Sequence, residues 1–418
     1  MEKIELSNGL RIMMESAPWS KSATMGVWIG SGSRYETPEN SGISHFIEHM
    51  LFKGTQQKTS REIAEEMDDI GGALNAFTAK EYTCLYTRAL TEHVEKAFHM
   101  IAQMLTSPKF APEDIELEKG VIIEEIGMYE DSPEDLCVDT LYRNVWAQDM
   151  LGANILGTEE TVCSMTREGL LDYMGKMYVP ERMVVAICGC FDRDEFLKLC
   201  EDYFGSMKNT GNHIAPASVE YLKSISVKTK DFEQTQLCIA FPGLGLGDPR
   251  RFALSLLLSI LGSSSSSRLY QRIREQLGLV YAIDCFSATH LGGGLLGIAA
   301  AVSPKSEEQA LAEIFKVLAE FLQGIDEKEL LRAKNQYRAN ILMSMESNAS
   351  RASHMAVSEL LQNAVVDPQA TADAIAAVTI EDAQKLAREL FDVFKASICA
   401  VGKVRDEDFY RNACNMSV

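Results

Sequence analysis

The chain has 418 residues, 46% of them apolar, enough to bury two substantial cores and consistent with two or three domains. Its 60 acidic and 40 basic residues leave a net charge of −20, a balance that counts against nucleic acid or an anionic membrane as partner. Ten cysteines without a spaced framework, a start (Met1–Glu5) lacking a basic or apolar leader, and no run long enough to span a bilayer give the cytoplasm as the expected location.

After a strand at Met25–Gly30, the first distinctive element is His45-Phe46-Ile47-Glu48-His49. Ile43, Phe46, Ile47, Met50 and Leu51 recur at helical spacing and predict an amphipathic helix, with Asn40 or Ser41 as cap and Gly54 as stop. On such a helix His45 and His49, four apart, aim ring nitrogens at one Zn²⁺ from consecutive turns. Glu48 reaches the open side of that ion, where a carboxylate can deprotonate a water and direct it at a carbonyl. With seven His in the chain, the chance count of H-x-x-E-H is below about 0.02, so coincidence is a poor account of it.

Gly71–Thr83 reads as a turn leading into a strand. The next helical stretch, Thr91–Leu105, carries His93 and His99, and His213, His290 and His354 stand in unrelated settings; none is a good third ligand. Glu113–Glu130 reads as a helix bearing Glu116, Glu118, Glu124, Glu125 and Glu130 among apolar residues. Glu118 and Glu125 are seven apart on one face, beside Val121 and Ile122, an unusual setting for carboxylates without a partner.

Val184–Phe191 reads as a strand in which Cys188 and Cys190 share one side and serve packing, and 207–218, with Gly, Asn and Pro216, reads as a linker. Beyond it the chain repeats itself. Met25–Gly30 and the motif helix correspond to Leu237–Phe241 and a helix at Arg251–Leu261. The helix after Thr166 and the strand Val184–Phe191 correspond to the helix after Thr379 and the strand Ala396–Val401, at offsets of 211 to 213 residues. At that offset His45, Glu48 and His49 fall on Leu256, Ser259 and Ile260, so the second half keeps the fold without the metal. The expected architecture is α+β: two homologous domains, 1–206 and 219–418, each a mostly antiparallel sheet with helices on one face.

Three segments carry a family resemblance: GISHFIEHMLFKGT at Gly42–Thr55, GGALNAFTAKEYT at Gly71–Thr83 and VIIEEIGMYEDSP at Val121–Pro133. Together they resemble the pitrilysin or insulinase zinc peptidases, whose H-x-x-E-H order is the inverzincin signature. The chain is most similar to the short two-domain bacterial branch related to mitochondrial processing peptidase. The resemblance implies Glu125 as third ligand, with 75 residues between it and His49, Glu124 being one position off; it makes Glu118 the carboxylate that orients the site. Asn75-Ala76-Phe77-Thr78 matches the family's N-A-x-T edge strand, to which an extended peptide adds by main-chain hydrogen bonds. Ser267–Ile283 resembles the family's C-terminal substrate-contact region, so Arg274 and Tyr281, seven apart, are expected to bind peptide and steady the tetrahedral intermediate.

By the same resemblance the chain is expected to be a zinc metalloendopeptidase with one Zn²⁺ per chain. Glu48 would activate the water, and a homodimeric clamshell would set Arg274 and Tyr281 of one chain against the zinc of the other. Two other readings stand beside it. A non-catalytic subunit of a hetero-oligomeric peptidase would be expected to show a defect in the motif, and none is visible, while a partner-dependent subunit stays open; a hydrolase of non-peptide substrates would have no use for the N-A-x-T strand.

Overall fold

The computed structural model describes residues 1–212, 214, 216–365 and 367–415. His213 and Ala215, within the expected linker 207–218, lie outside the described residues. No helix among the described residues is long and apolar enough to cross a membrane.

Two compact units form, each from three separate stretches of chain. The first takes Met1–Gly127, Ala153–Ala215 and Met343–Val366; the second takes Met128–Gly152, Pro216–Leu342 and Asp367–Val418.

The first unit is built on strands β1 (Glu2–Glu5), β2 (Arg11–Ser16), β3 (Ser22–Ile29), β4 (Ala73–Thr78), β5 (Thr83–Leu90) and β6 (Met183–Gly189). They lie in the order β1-β2-β6-β3-β5-β4, with β2 parallel to β6 and the other pairs antiparallel. Side chains alternate across a strand, so Met25 and Val27 of β3 join Val185 and Ile187 of β6 on one face. That face packs against Phe46, Ile47 and Met50 of the motif helix, Ile43–Leu51, and Phe98 and Ile101 of the helix Val94–Thr106. The opposite face presents Met13, Trp28, Cys84, Val184, Ala186 and Cys188.

That second face is covered too, which corrects the expectation of helices on one face only. Ala352, Met355 and Ala356 of the helix Asn348–Gln362 pack on it. Arg11 donates from Nη1 to the Glu359 carbonyl at 3.1 Å and Asn348 from Nδ2 to Ser20 Oγ at 2.9 Å, tying the helix to the sheet. The cause lies in β6, whose run MVVAICG is buried at every position. A strand apolar on both sides needs two covers.

The second unit holds β7 (Ile225–Thr229), β8 (Thr235–Pro242), β9 (Val280–His290), β10 (Gly293–Val302) and β11 (Ser397–Gly402), in the order β7-β11-β8-β10-β9. This repeats β2-β6-β3-β5-β4, down to the single parallel pair β7 and β11. One face of this sheet packs on the helix Arg251–Leu261 and its neighbours. The other is covered by Leu136, Cys137, Leu141 and Val145 of the helix Pro133–Val145. Each sheet therefore takes one of its covers from the other half of the sequence.

The motif helix starts in an unforeseen way. Neither Asn40 nor Ser41 caps it: Asn40 accepts from Thr37 N within its own short turn. Gly42 occupies the N-cap at φ +93°, where a Cβ would come within 2.5 Å of the Leu156 carbonyl oxygen. The free N–H groups of Gly42 and Ser44 donate instead to the two oxygens of Glu36, at 2.7 and 2.9 Å.

Burial pushes the Glu36 carboxyl from an ordinary 4.5 up to about 7, although the two N–H donors oppose the shift. A raised pKa in the folded state means that this group favours folding most below about pH 4.5 and loses that contribution as pH rises through about 7. Glu36→Gln, which cannot ionise, is expected to flatten the pH dependence of the denaturation midpoint across that window; an unchanged slope would exclude this origin.

A fragment ending at residue 218 lacks the Asn348–Gln362 helix and leaves Met13, Trp28, Val184 and Ala186 uncovered. It is expected to bind a hydrophobic dye and melt without cooperativity, and a synthetic 343–366 peptide added in trans to reverse both. Normal melting of the fragment alone would show the second cover to be dispensable.

Candidate metal centre

His45 and His49 project from consecutive turns of the motif helix, their ring centroids 4.5 Å apart and their planes inclined at 58°. The helix Pro112–Asp131 runs past them and delivers Glu125. Its Oε2 lies 3.7 Å from His45 Nε2 and 3.5 Å from His49 Nε2. One ligand atom from each of the three falls within 4.8 Å of the others. Of the two neighbouring glutamates, Glu125 faces this cluster, while Glu124 is exposed.

The electrostatics suit a cation. Burial, with help from His49, pushes the His45 pKa down to about 3, so its imidazole is neutral and offers a lone pair. Burial acts the same way on His49, but the hydrogen bond and charge of Glu118, followed by Glu125 and Glu48, outweigh it and the net shift is upward. His49 Nδ1 sits 2.8 Å from Glu118 Oε1. That contact assigns the proton to Nδ1 and turns the Nε2 lone pair toward Glu125. Two imidazole lone pairs and a carboxylate oxygen gathered this closely repel one another unless a positive charge stands among them. The donor set, two N and one O, is one that zinc takes while leaving a position open.

Glu118 itself is only 3% exposed and is held from both sides, with Lys53 Nζ 2.5 Å from its Oε2. Burial raises its pKa, but His49 and Lys53 outweigh burial and keep it below the ordinary value. This supplies the partner that a carboxylate among apolar neighbours requires. Lys53 was not singled out from the sequence, although its place four residues after His49, one helical turn on, was a usable signal.

Glu48 lies beside the cluster and accepts a hydrogen bond from Thr78 Oγ1 at 2.6 Å. Burial raises its pKa, the Thr78 hydrogen bond and His49 lower it, and the net shift is upward. Thr78 ends β4, the last strand of its sheet, so the outer edge of β4 has no strand partner among the described residues. Asn75 Oδ1 accepts from Ala76 N, and Phe77, 38% exposed, meets Tyr82 and Tyr86 edge-on.

Arg274 and Tyr281 belong to the second unit, whereas the donors belong to the first. Arg274 lies in a π-helical turn, Tyr270–Gln276, with its guanidinium 4.8 Å over the Tyr270 ring, and Tyr281 is 73% exposed on β9. The second unit also keeps an outline of the metal site. Ser259 Oγ donates to Gln336 Oε1 at 3.4 Å, and these residues are 77 apart, as are Glu48 and Glu125. Glu329 stands at the Glu118 position, 211 residues on, and pairs with Arg268 at 2.6 Å. Gln336 and Glu329 were missed from the sequence, though the duplication offset pointed at both.

Zinc titration checks the centre. Glu125→Gln is expected to lower affinity by at least about tenfold and Glu118→Gln by about 10- to 100-fold, with Glu124→Gln matching the wild type. Equal losses for Glu124→Gln and Glu125→Gln would refute the assignment of the third donor.

The comparisons agree with this geometry. Residues 11–159, which contain His45, Glu48, His49 and Glu125, match the family model described as Insulinase (Peptidase family M16), and residues 164–337 match Peptidase M16 inactive domain. The chain is 39% identical, over 94% of its length and 96% of the relative's, to YmxG, an uncharacterized zinc protease of Bacillus subtilis (strain 168). It is 36% identical, over 93% of its length and 88% of the relative's, to an uncharacterized zinc protease of Mycobacterium leprae (strain TN). The fold is shared with a peptidase M16 inactive domain from Pseudomonas fluorescens, at TM-score 0.89 and 20% identity over 97% of this chain and 98% of that one. A protease from Helicobacter pylori gives TM-score 0.87 at 20% identity over 96% and 99%. A donor set in the half matched by the peptidase model, its outline without histidines in the half matched by the inactive domain, and whole-length similarity to zinc proteases make this chain a member of the insulinase family of peptidases, family M16.

Proposed function

We propose that the chain is a zinc metalloendopeptidase that holds one Zn²⁺ through His45 Nε2, His49 Nε2 and Glu125, and hydrolyses peptide bonds without a covalent intermediate. The observation that carries this reading is the convergence of those three acceptor groups beside Glu48, with an open-edged strand tied to the same glutamate. Zinc bound there would supply a Lewis acid that polarises the scissile carbonyl and acidifies water. Glu48 takes the proton of the attacking water and returns it to the leaving amine. Glu118 orients His49, and β4 receives the peptide as an added strand, its main chain giving affinity independent of side-chain identity.

Arg274 and Tyr281 complete the proposal as donors to the peptide carbonyl and its developing oxyanion, in a homodimer where each chain supplies them to the zinc of the other. The exposure of both side chains supports a contact with a partner or substrate. The ten cysteines, all free, support work in a reducing compartment such as the cytoplasm. Substrates are oligopeptides or presequence-like segments.

The primary test is mass-spectrometric cleavage profiling of a mixed peptide library by zinc-loaded wild type and Glu48→Gln. Cleavage by the wild type, reduced by about 10²- to 10⁴-fold in the variant, is expected. Silence from both would move the search to a missing partner chain. The dimer is checked by mixing Arg274→Ala with Glu48→Gln: exchange yields hybrids with one intact site, so activity is expected to return on mixing. No recovery despite demonstrated exchange would refute the composite site.

A further inference from the structure

Thr78 was expected to touch the substrate, yet its hydroxyl is already engaged. Neighbouring side chains on a strand point to opposite faces, so Phe77 meets Tyr82 and Tyr86 while Thr78 reaches the motif helix and donates from Oγ1 to Glu48 Oε2 at 2.6 Å. A hydroxyl has one proton to give. With that proton directed at Glu48, the hydroxyl has none to donate to a peptide, although its oxygen can still accept.

The backbone that carries Thr78 is itself fixed. Beyond Thr78 the chain turns back into β5, with Ala79 N donating to the Tyr82 carbonyl at 2.8 Å. Arg34 N donates to the Lys80 carbonyl at 2.8 Å and Ser33 N to the Ala79 carbonyl at 3.3 Å, clamping the turn. The clamp closes over Gly32, where a Cβ would lie 2.3 Å from the Ala79 oxygen. A β-branched residue on such a backbone has few rotamers, so the donor has a defined position. Glu48, by contrast, has three side-chain torsions.

We propose that Thr78 is a positioning residue: its hydroxyl holds Oε2 of Glu48, presents Oε1 to the attacking water, and couples the base to the strand that receives the peptide. This rests on the reading of Glu48 as the base. The Thr78 hydroxyl, beside a main-chain N–H of the same residue that also acts on Glu48, then links peptide register to proton transfer, because the strand that aligns the scissile bond also aims the carboxylate. Losing the donor costs turnover and spares binding, since the main-chain edge of β4 is unchanged.

The test compares zinc-loaded wild type, Thr78→Val, Thr78→Ser, Glu48→Gln and the Thr78→Val/Glu48→Gln double variant on one peptide cut by the wild type. Zinc affinity and a crystal structure are obtained for each. Val keeps the shape and removes the donor; Ser keeps the donor. The expected result is a kcat for Thr78→Val at least tenfold lower with KM within threefold and zinc affinity within twofold. Thr78→Ser should recover most of that loss, the Thr78→Val structure should show Glu48 in more than one rotamer, and the double variant should be no worse than Glu48→Gln. A raised KM with unchanged kcat would make Thr78 a substrate contact, and an equal loss in Thr78→Ser and Thr78→Val would make it a packing residue; either overturns the inference. Unchanged kcat in Thr78→Val while Glu48→Gln is inactive overturns it alone. Full activity in Glu48→Gln instead removes the base on which it rests.

Discussion

A sheet with an interior strand that is apolar on both faces cannot leave either face to water. In β6 and β11 every position is buried, and each buried Val or Ile contributes about 1.5–3 kcal/mol that would be forfeited by exposure. Two helical covers per sheet follow from that constraint. The first cover of each sheet is local, built from helices in the same half of the chain. The second comes from the other half: Asn348–Gln362 for the first sheet and Pro133–Val145 for the second. The compact units therefore do not coincide with the two sequence repeats, and the helix that covers one sheet is as much a part of its unit as the strands are.

This frame sets the local electrostatics. The motif helix packs its apolar face on the sheet, which turns His45 and His49 toward the helix Pro112–Asp131. Three carboxylates, Glu48, Glu118 and Glu125, act on His49, and one cation, Lys53, faces Glu118. Lys53 balances the carboxylate that orients His49, and Thr78 hydrogen-bonds Glu48, so Glu125 is the carboxylate directed at both imidazole Nε2 atoms. The excess negative charge belongs to that spot, which suits a cation.

The second unit shows what the frame does without the donors. Its strand order, its single parallel pair and the 77-residue spacing survive, but a neutral hydrogen bond joins Ser259 and Gln336 at the positions of Glu48 and Glu125, and Leu256 and Ile260 are buried at those of the two histidines. Burial favours the apolar pair, since an imidazole without a metal or partner loses its solvation there. The duplication thus separates the scaffold, common to both halves, from the donor set, which takes only a handful of positions in one.

The motif was legible because His45, Glu48 and His49 are neighbours on one helix, whereas Glu125, on a second helix, was singled out by the family resemblance. Four-residue spacing puts His45 and His49 on one face in any α-helix, and seven-residue spacing does the same for Glu118 and Glu125. Strand identity followed from period-two and continuous apolar runs, and the repeat from a constant offset. Those are properties of local backbone geometry, which the chain carries with it. The Glu36 cap, the Lys53 contact, the Thr78 hydrogen bond and the exchanged helices are different in kind. Glu36 reaches the helix N-terminus through two short turns, Lys53 and Glu118 meet across 65 residues, and the Asn348–Gln362 helix finds β6 from more than 150 residues away. Short-range periodicity says that a face is apolar and does not say which distant surface will bury it. Only the packed tertiary structure decides that, because the choice depends on the shape and charge of every surface competing for the same contact.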